Sequence, residues 1–349
     1  MNIKKIQNAD VNGKNVLLRV DFNVSLDEKG DVIESHKILA AKESLEWLIE
    51  NGARKIALLT HFGRPDGEIK PEFSVKQIAD DVERILKRKV FFANDCIGEK
   101  VKGEIENGEN QIILLENVRF YSGEKKGDVK FAKKLAEPFD IYVNDSFGVD
   151  HRGHASLYVI TDILPSFGGI WLQKEIENLE KVKNLQKRPA VAIIGGSKIA
   201  TKLPLIKMFE KSYNYVLVGG RVAVEAIEQG INFSEKVILP VDFTGETLDI
   251  GPKTIELFRE KIEQAKTIVW NGPMGKFEEK PYDIGTRELV KFVAGNKDAF
   301  SLIGGGESVQ ALAESGYWED ISFVSTGGGA MLSFLIGEEM LGIEKLVIK

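Results

Sequence analysis

Between Val16 and Ser325, short apolar runs rich in Val, Ile and Leu alternate with stretches of helical periodicity, from one end of the chain to the other. This alternation constrains the fold more than any other feature. Strands joined through helices must pair in parallel, with helices covering the sheet, which is α/β architecture. Five such runs precede residue 150: Val16–Val20, Ile56–Thr60, Val90–Phe92, Ile112–Leu115 and Ile141–Val143. A second series follows Pro189: Ala190–Ile194, Tyr215–Val218, Val237–Leu239, Thr267–Trp270, Phe300–Ile303 and Ile321–Ser325. Ile38, Ala41, Leu45 and Leu48 form one helical stripe. Val75, Ile78, Val82 and Ile85 repeat its spacing behind Ser74, an expected N-cap. Between the series, Pro165 to Gly169 reads as a break and Trp171–Val182 as one long helix joining two similar sheets.

With 349 residues the chain has room for two domains and a large core. A net charge of −6 argues against a general binder of nucleic acid or anionic membrane, so any cluster of basic residues has a local purpose. Cys96 is the single cysteine, which leaves no intrachain disulfide and no cysteine-based zinc site. That fits a reducing compartment, and a cytoplasmic protein is expected. Met1 to Asn8 carries no apolar stretch after its lysines, so no signal peptide is expected, and no run approaches a membrane span.

The first series delivers basic side chains at or just beyond the ends of its strands. Arg19, Asp21 and Asn23 follow Val16-Leu17-Leu18. His61 and Arg64 follow Ile56 to Leu59, Arg119 follows Ile112 to Leu115, and Arg152 comes shortly after Ile141 to Val143. In an open parallel sheet that edge binds ligands. One arginine there would be an ordinary ion pair, but several together form a basin for an anion, with Asp21 and Asn23 available to hydroxyls. A small, hydroxylated, phosphorylated acid fits. His151 and His154 flank Arg152 at the spacing of a metal pair, but no carboxylate or helical pattern accompanies them.

The second series carries glycines at its strand ends: Gly195-Gly196-Ser197-Lys198, with Lys202 one helical turn on, then Gly304-Gly305-Gly306-Glu307-Ser308 and Ser325 to Ala330. Glycine lets the backbone approach a phosphate, and a following helix supplies free N–H groups. Three repetitions argue against glycines that merely end strands. None matches a Walker A loop or the dinucleotide fingerprint, which disfavours a nicotinamide dehydrogenase. One half gripping an acid and the other a nucleotide suits phosphoryl transfer.

These motifs resemble those of the phosphoglycerate kinases. The resemblance rests on Leu18-Arg19-Val20-Asp21-Phe22-Asn23-Val24, Thr60 to Pro65, Asp95 to Glu99, Leu115 to Tyr121, Val143 to Gly148, His151 to Ser156, Trp270 to Gly275 and Ser325 to Ala330. They run in family order over essentially the whole chain. The resemblance implies two doubly wound, Rossmann-like parallel-sheet domains joined by an interdomain helix: 1–165 for phosphoglycerate, 166–185 as the helix, 186–334 for nucleotide, and a tail, 335–349, packing back on the first domain. It implies a monomer that transfers a phosphoryl group reversibly between 1,3-bisphosphoglycerate and ADP with magnesium, closing its domains to do so. Carried over by position, Asp21, Phe22, Asn23, Lys37, His61, Phe62, Gly63, Arg64, Arg119 and Arg152 would hold the acid. Gly196, Lys198, Lys202, Asn271, Pro273, Glu278, Gly305, Gly306, Glu307 and Ser308 would hold the nucleotide, with Glu278 on the ribose and Glu307 on the metal. Lys37, Lys198, Gly327 and Gly328 would act on the moving phosphoryl group.

Four positions depart from the family pattern. Ser25 replaces a proline, Lys37 an arginine and Glu307 an aspartate, and the segment between Val241 and Asp249 is short. Lysine keeps the charge of arginine but loses its planar fork. Two rival readings are a catalytically weak relative serving as a scaffold, and another acyl-phosphate-forming kinase. Retention of all four basic residues of the acid basin argues against the second.

Overall fold

The computed structural model describes residues 1–184 and 186–348. By contact clustering the chain divides into two compact units, Met1–Glu177 with Glu339–Lys349, and Asn178–Glu338. The first unit holds strands β1 (Asn15–Val20), β2 (Lys55–Leu59), β3 (Phe91–Ala93), β4 (Ile112–Leu115), β5 (Ile141–Asp145) and β6 (Ser166–Gly168). They form one parallel sheet in the order β3-β4-β2-β1-β5-β6. Side chains alternate across it: Val16, Leu18 and Val20 enter a core on one face, and Leu17 enters a separate core on the other. Burial on both faces is why these strands read as unbroken apolar runs.

The second unit holds β7 (Ala190–Ile194), β8 (Tyr215–Val218), β9 (Val237–Ile238), the hairpin strands β10 (Phe243–Thr244) and β11 (Asp249–Ile250), β12 (Thr267–Asn271), β13 (Phe300–Gly304) and β14 (Phe323–Ser325). Its main sheet is also parallel, in the order β14-β13-β12-β7-β8-β9. Strand order reverses between β1 and β5 in the first sheet, and between β7 and β12 in the second. Such reversals open a crevice beyond the carboxyl ends of the strands. This is the expected α/β class with two doubly wound sheets.

Several local expectations need correction. Ser166–Gly168, which reads as part of a break and which the resemblance assigns to the joining helix, instead extends the first sheet, because it pairs in parallel with β5 and Gly168 N donates to Lys4 O at 2.7 Å. The helix itself runs Ile170–Asn184, and residue 185 lies outside the described residues. The stripe from Ile38 to Leu48 is buried as expected, but on two helices, Ser35–Ala40 and Lys42–Glu50, that meet at Ala41. Ser74 caps a 3₁₀ turn, Val75–Ile78, accepting from Lys76 N at 3.2 Å, before the helix Ala79–Leu86. Near the C-terminus the division between units falls after Glu338. Beyond it Ile3 bridges Val347, Lys4 N donates to Leu346 O and Gly342 N to Asp150 O. Among the described residues no helix is long and apolar enough to cross a membrane.

Candidate active site

The carboxyl ends of β1, β2, β4 and β5 carry the basic side chains of the first unit. Arg119 is buried in a single 3₁₀ turn, Val118–Phe120, whose Asn117 cap accepts from Arg119 N at 3.0 Å. Its Nη1 donates to Gly63 O at 2.9 Å, while Nε and Nη2 are buried without a partner among the described residues. Burial, then Arg19 and Arg152, pushes the Arg119 guanidinium down to about 10. Burial, then Arg119, Arg19, Arg152 and His154, holds His61 well below the ordinary histidine range, so its imidazole is neutral. Burial lowers Arg152 as well, with Arg64 the nearby charge that adds to it. Asp21 sits 3.7 Å from His61 Nδ1. Asn23 Oδ1 accepts from Gly63 N at 2.8 Å, which ties the loop after β1 to the loop after β2. Lys37 Nζ reaches Asn23 O at 3.1 Å and pairs with Glu34 at 2.7 Å.

Positive groups that repel one another at the end of a sheet, with donors left unused, make a preformed anion site. Not every assigned side chain faces it. Phe22 and Phe62 pack in the core, so they could serve a ligand only through their backbone. His151 and His154 join no cluster of three potential metal ligands among the described residues.

In the second unit, a cavity of about 340 Å³ is lined by Gly196, Ser197, Thr201, Lys202, Asn271, Gly272, Gly305, Gly306, Glu307, Gly328, Gly329 and Leu332. Three helices begin at its wall: Ile199–Ser212, Gly306–Ser315 and Gly329–Ile336. Their N-termini bring positive dipole ends to the wall, a setting for phosphates, although Ile199 N already donates to Glu225 Oε2 at 2.8 Å. Gly272 has φ 92°, and a Cβ there would lie 2.3 Å from Gly195 O, so only glycine lets these two loops meet. Lys202 Nζ donates to Asn271 Oδ1, and Asn271 Nδ2 to Gly304 O at 2.8 Å. Burial lowers the Lys202 pKa, and the Glu307 carboxylate opposes that shift.

Pro273 and Ser308 sit behind the cavity wall. Pro273 O accepts from Gly196 N at 3.0 Å, and Ser308 Oγ from Gly272 N at 2.6 Å. Lys198 is exposed at the N-cap of its helix, and Glu278 is exposed in a turn; neither lines the cavity. The Gly327 amide, assigned to the moving phosphoryl group, already donates to Ser325 Oγ at 3.0 Å. Gly328, with φ 48°, leads into the helix and does line the cavity. Ser197 and Thr201 were missed as lining residues, although the glycine–serine–lysine motif and helical spacing point to both. Glu124, buried beneath the basin, has no local signal, and Ser156 beside it is marked only as the end of the motif His151 to Ser156.

The sequence model of the family described as "Phosphoglycerate kinase" matches residues 6–238 and 229–338. The two matched stretches overlap at residues 229–238, shortly before the segment that reads as short. A phosphoglycerate kinase of Thermosipho africanus is 39% identical over 394 residues, covering 99% of this chain and 98% of its own. One from Wolbachia pipientis is 37% identical over 396 residues, covering 99% of each. Both alignments exceed the 349 residues of this chain, so these relatives carry residues that it lacks. Among solved structures, the Pyrococcus horikoshii phosphoglycerate kinase superposes with a TM-score of 0.87 at 29% identity, covering 99% of this chain and 98% of that one. The Coxiella burnetii enzyme gives 0.81 at 30%, with the same coverage. Matches this long in sequence and fold, on a chain with clustered basic side chains at one sheet end and a glycine-lined cavity at the other, show that it belongs to the phosphoglycerate kinase family and is a kinase.

Proposed function

We propose that this chain transfers a phosphoryl group reversibly between 1,3-bisphosphoglycerate and ADP, giving 3-phosphoglycerate and ATP. In the ATP-consuming direction a carboxylate oxygen of the acid attacks the γ-phosphorus, the bond to the β,γ-bridging oxygen breaks, and ADP leaves. One observation carries the acid half: Arg119 is buried among like charges with two nitrogens unpartnered, a cost that a bound carboxylate or phosphate would remove. His61, Arg64, Arg152, Asp21, Asn23 and Lys37 surround the same ligand. The nucleotide phosphates occupy the cavity at the three helix N-termini, with Lys202 and Asn271 against them and Lys198 reaching in from the helix cap.

Glu307 is a single carboxylate on that cavity. This suits magnesium, which is held by one or two carboxylates together with substrate phosphates, and which would neutralise charge on the phosphate oxygens. Phosphoryl transfer asks for alignment and electrostatic stabilisation more than covalent help. With acid and nucleotide held by different units, closure of the units supplies that alignment. The enzyme works as a cytoplasmic monomer on small molecules, without nucleic acid or membrane.

The test is ATP consumption coupled to reduction of the acyl-phosphate product. Turnover should require both 3-phosphoglycerate and magnesium; folded protein with no turnover above a blank would refute this reading.

A further inference from the structure

Beneath the basin lies a buried chain of polar contacts that the proposed reaction does not itself use. Arg19, in β1, is fully buried. Its Nη1 donates to Val20 O and its Nε to Ser156 Oγ at 3.1 Å. Ser156 Oγ donates in turn to Glu124 Oε1 at 2.6 Å, and Ser156 N donates to Glu124 Oε2 at 2.9 Å. Glu124 is itself fully buried; burial raises its pKa, but His154, Arg19 and Ser156 outweigh that and keep the carboxylate charged. The guanidinium is therefore linked to the Glu124 carboxylate through Ser156. The nitrogen left over, Arg19 Nη2, lies 3.4 Å from His61 Nδ1.

Arginine has donors only and stays protonated. A contact from its Nη2 is favourable only if Nδ1 carries a lone pair, which puts the imidazole proton on Nε2. Asp21, 3.7 Å from the same Nδ1, favours the opposite tautomer, but beyond hydrogen-bond distance. No described residue is hydrogen-bonded to Nε2.

We propose that Arg19, anchored by Ser156 and Glu124, is a positioning residue that fixes His61 as the neutral tautomer with its proton on Nε2, ready to donate to the acid. The groups around that ring are Arg19, Arg119, Arg152, His154 and Asp21. His61 then contributes direction rather than charge: one N–H aimed at an acceptor, among arginines that already supply the positive field. This rests on the reading of the basin as the acid site, but the tautomer can be measured without substrate.

The test is two-bond ¹H–¹⁵N NMR on protein labelled in its four histidines, with His61 assigned by loss of its signals in His61→Gln. The expected result for the parent at pH 7 is a neutral His61 protonated on Nε2, titrating only well below the ordinary histidine range. In Arg19→Met, and more mildly in Ser156→Ala should the first fail to fold, His61 should show mixed tautomers and titrate closer to the ordinary histidine range. KM for 3-phosphoglycerate should rise about tenfold while kcat changes less. A parent His61 protonated on Nδ1 or doubly protonated at pH 7 would overturn the proposal. So would variants that lose stability yet keep the parent tautomer and titration. If the tautomer is as expected but His61→Gln leaves KM for the acid unchanged, the acid-site reading fails and the tautomer lock stands.

Discussion

Arg119 gives one nitrogen, Nη1, to the carbonyl of Gly63 2.9 Å away. The bond joins the loop after β2 to the turn after β4. The remaining guanidinium nitrogens, Nε and Nη2, are buried and without a partner among the described residues. A buried side chain held through one nitrogen, with the other two unused, costs stability until a ligand meets them.

Arg119→Met should therefore separate stability from binding. Removing a buried charge that Arg19 and Arg152 disfavour, and that Glu124 and Asp21 offset only in part, should stabilise the ligand-free protein by about 1 kcal/mol. KM for 3-phosphoglycerate should rise about 10- to 100-fold, the equivalent of ~1.5–3 kcal/mol for a hydrogen bond to a charged group. Urea unfolding and steady-state kinetics on one preparation test both; loss of stability with unchanged KM would place Arg119 among structural residues.

Lys37 is held by Glu34 at 2.7 Å and by the carbonyl of Asn23 at 3.1 Å. A point charge parked on these partners lacks the fork that could bridge the acid and the moving phosphoryl group. Lys37→Arg should raise kcat about tenfold, equivalent to ~1.4 kcal/mol of barrier, with little change in KM for the acid. Lys37→Ala should be slower than either. A parent-like Lys37→Ala would make this residue a surface partner of Glu34 and nothing more.

Glu307 lines the cavity of the second unit and is felt electrostatically by Lys202. Glu307→Asp should stay active, because magnesium tolerates a shift of one methylene through backbone adjustment or a bridging water. Glu307→Gln should raise the magnesium concentration needed for half-maximal rate. An unchanged magnesium titration in the glutamine variant removes Glu307 from the metal.

Burial pushes the Asp150 carboxyl up to about 7; its hydrogen bond from Asn144 Nδ2 and the nearby Arg19 lower it, but not enough to restore the usual carboxylate range. The unfolded chain ionises this group near 3.8, so folding takes up a proton between that value and about 7. The stability it contributes is full below pH 4, is lost as pH rises, and is gone above 7. The slope is bounded by ~1.4 kcal/mol per pH unit for one proton. Asp150→Asn keeps an oxygen for Asn144 and should flatten the parent's decline between pH 5 and 7.5 in urea midpoints. Parallel curves for parent and variant would mean that Asp150 is ionised in the folded protein.

The linear order of residues determined what depends on near neighbours. Apolar runs such as Ile112–Leu115 and Ala190–Ile194 become strands because helices cover both faces of their sheets, and glycines such as Gly195 and Gly272 mark turns that a side chain would block. Arg119 and Arg152 fall beyond strands for the same local reason. Tertiary structure decided what depends on strand order. Ser166–Gly168 is a strand because β5 offers it an edge, not because its three residues demand one. Arg19 points away from solvent because Ser156, 137 positions along, and Glu124 meet it beneath the sheet end. Residues after Glu338 join the first unit through Asp150 and the first strand-like residues of the chain. A buried charge needs a specific counter-group, and side chains that far apart in sequence become partners only once the sheet has put their elements side by side.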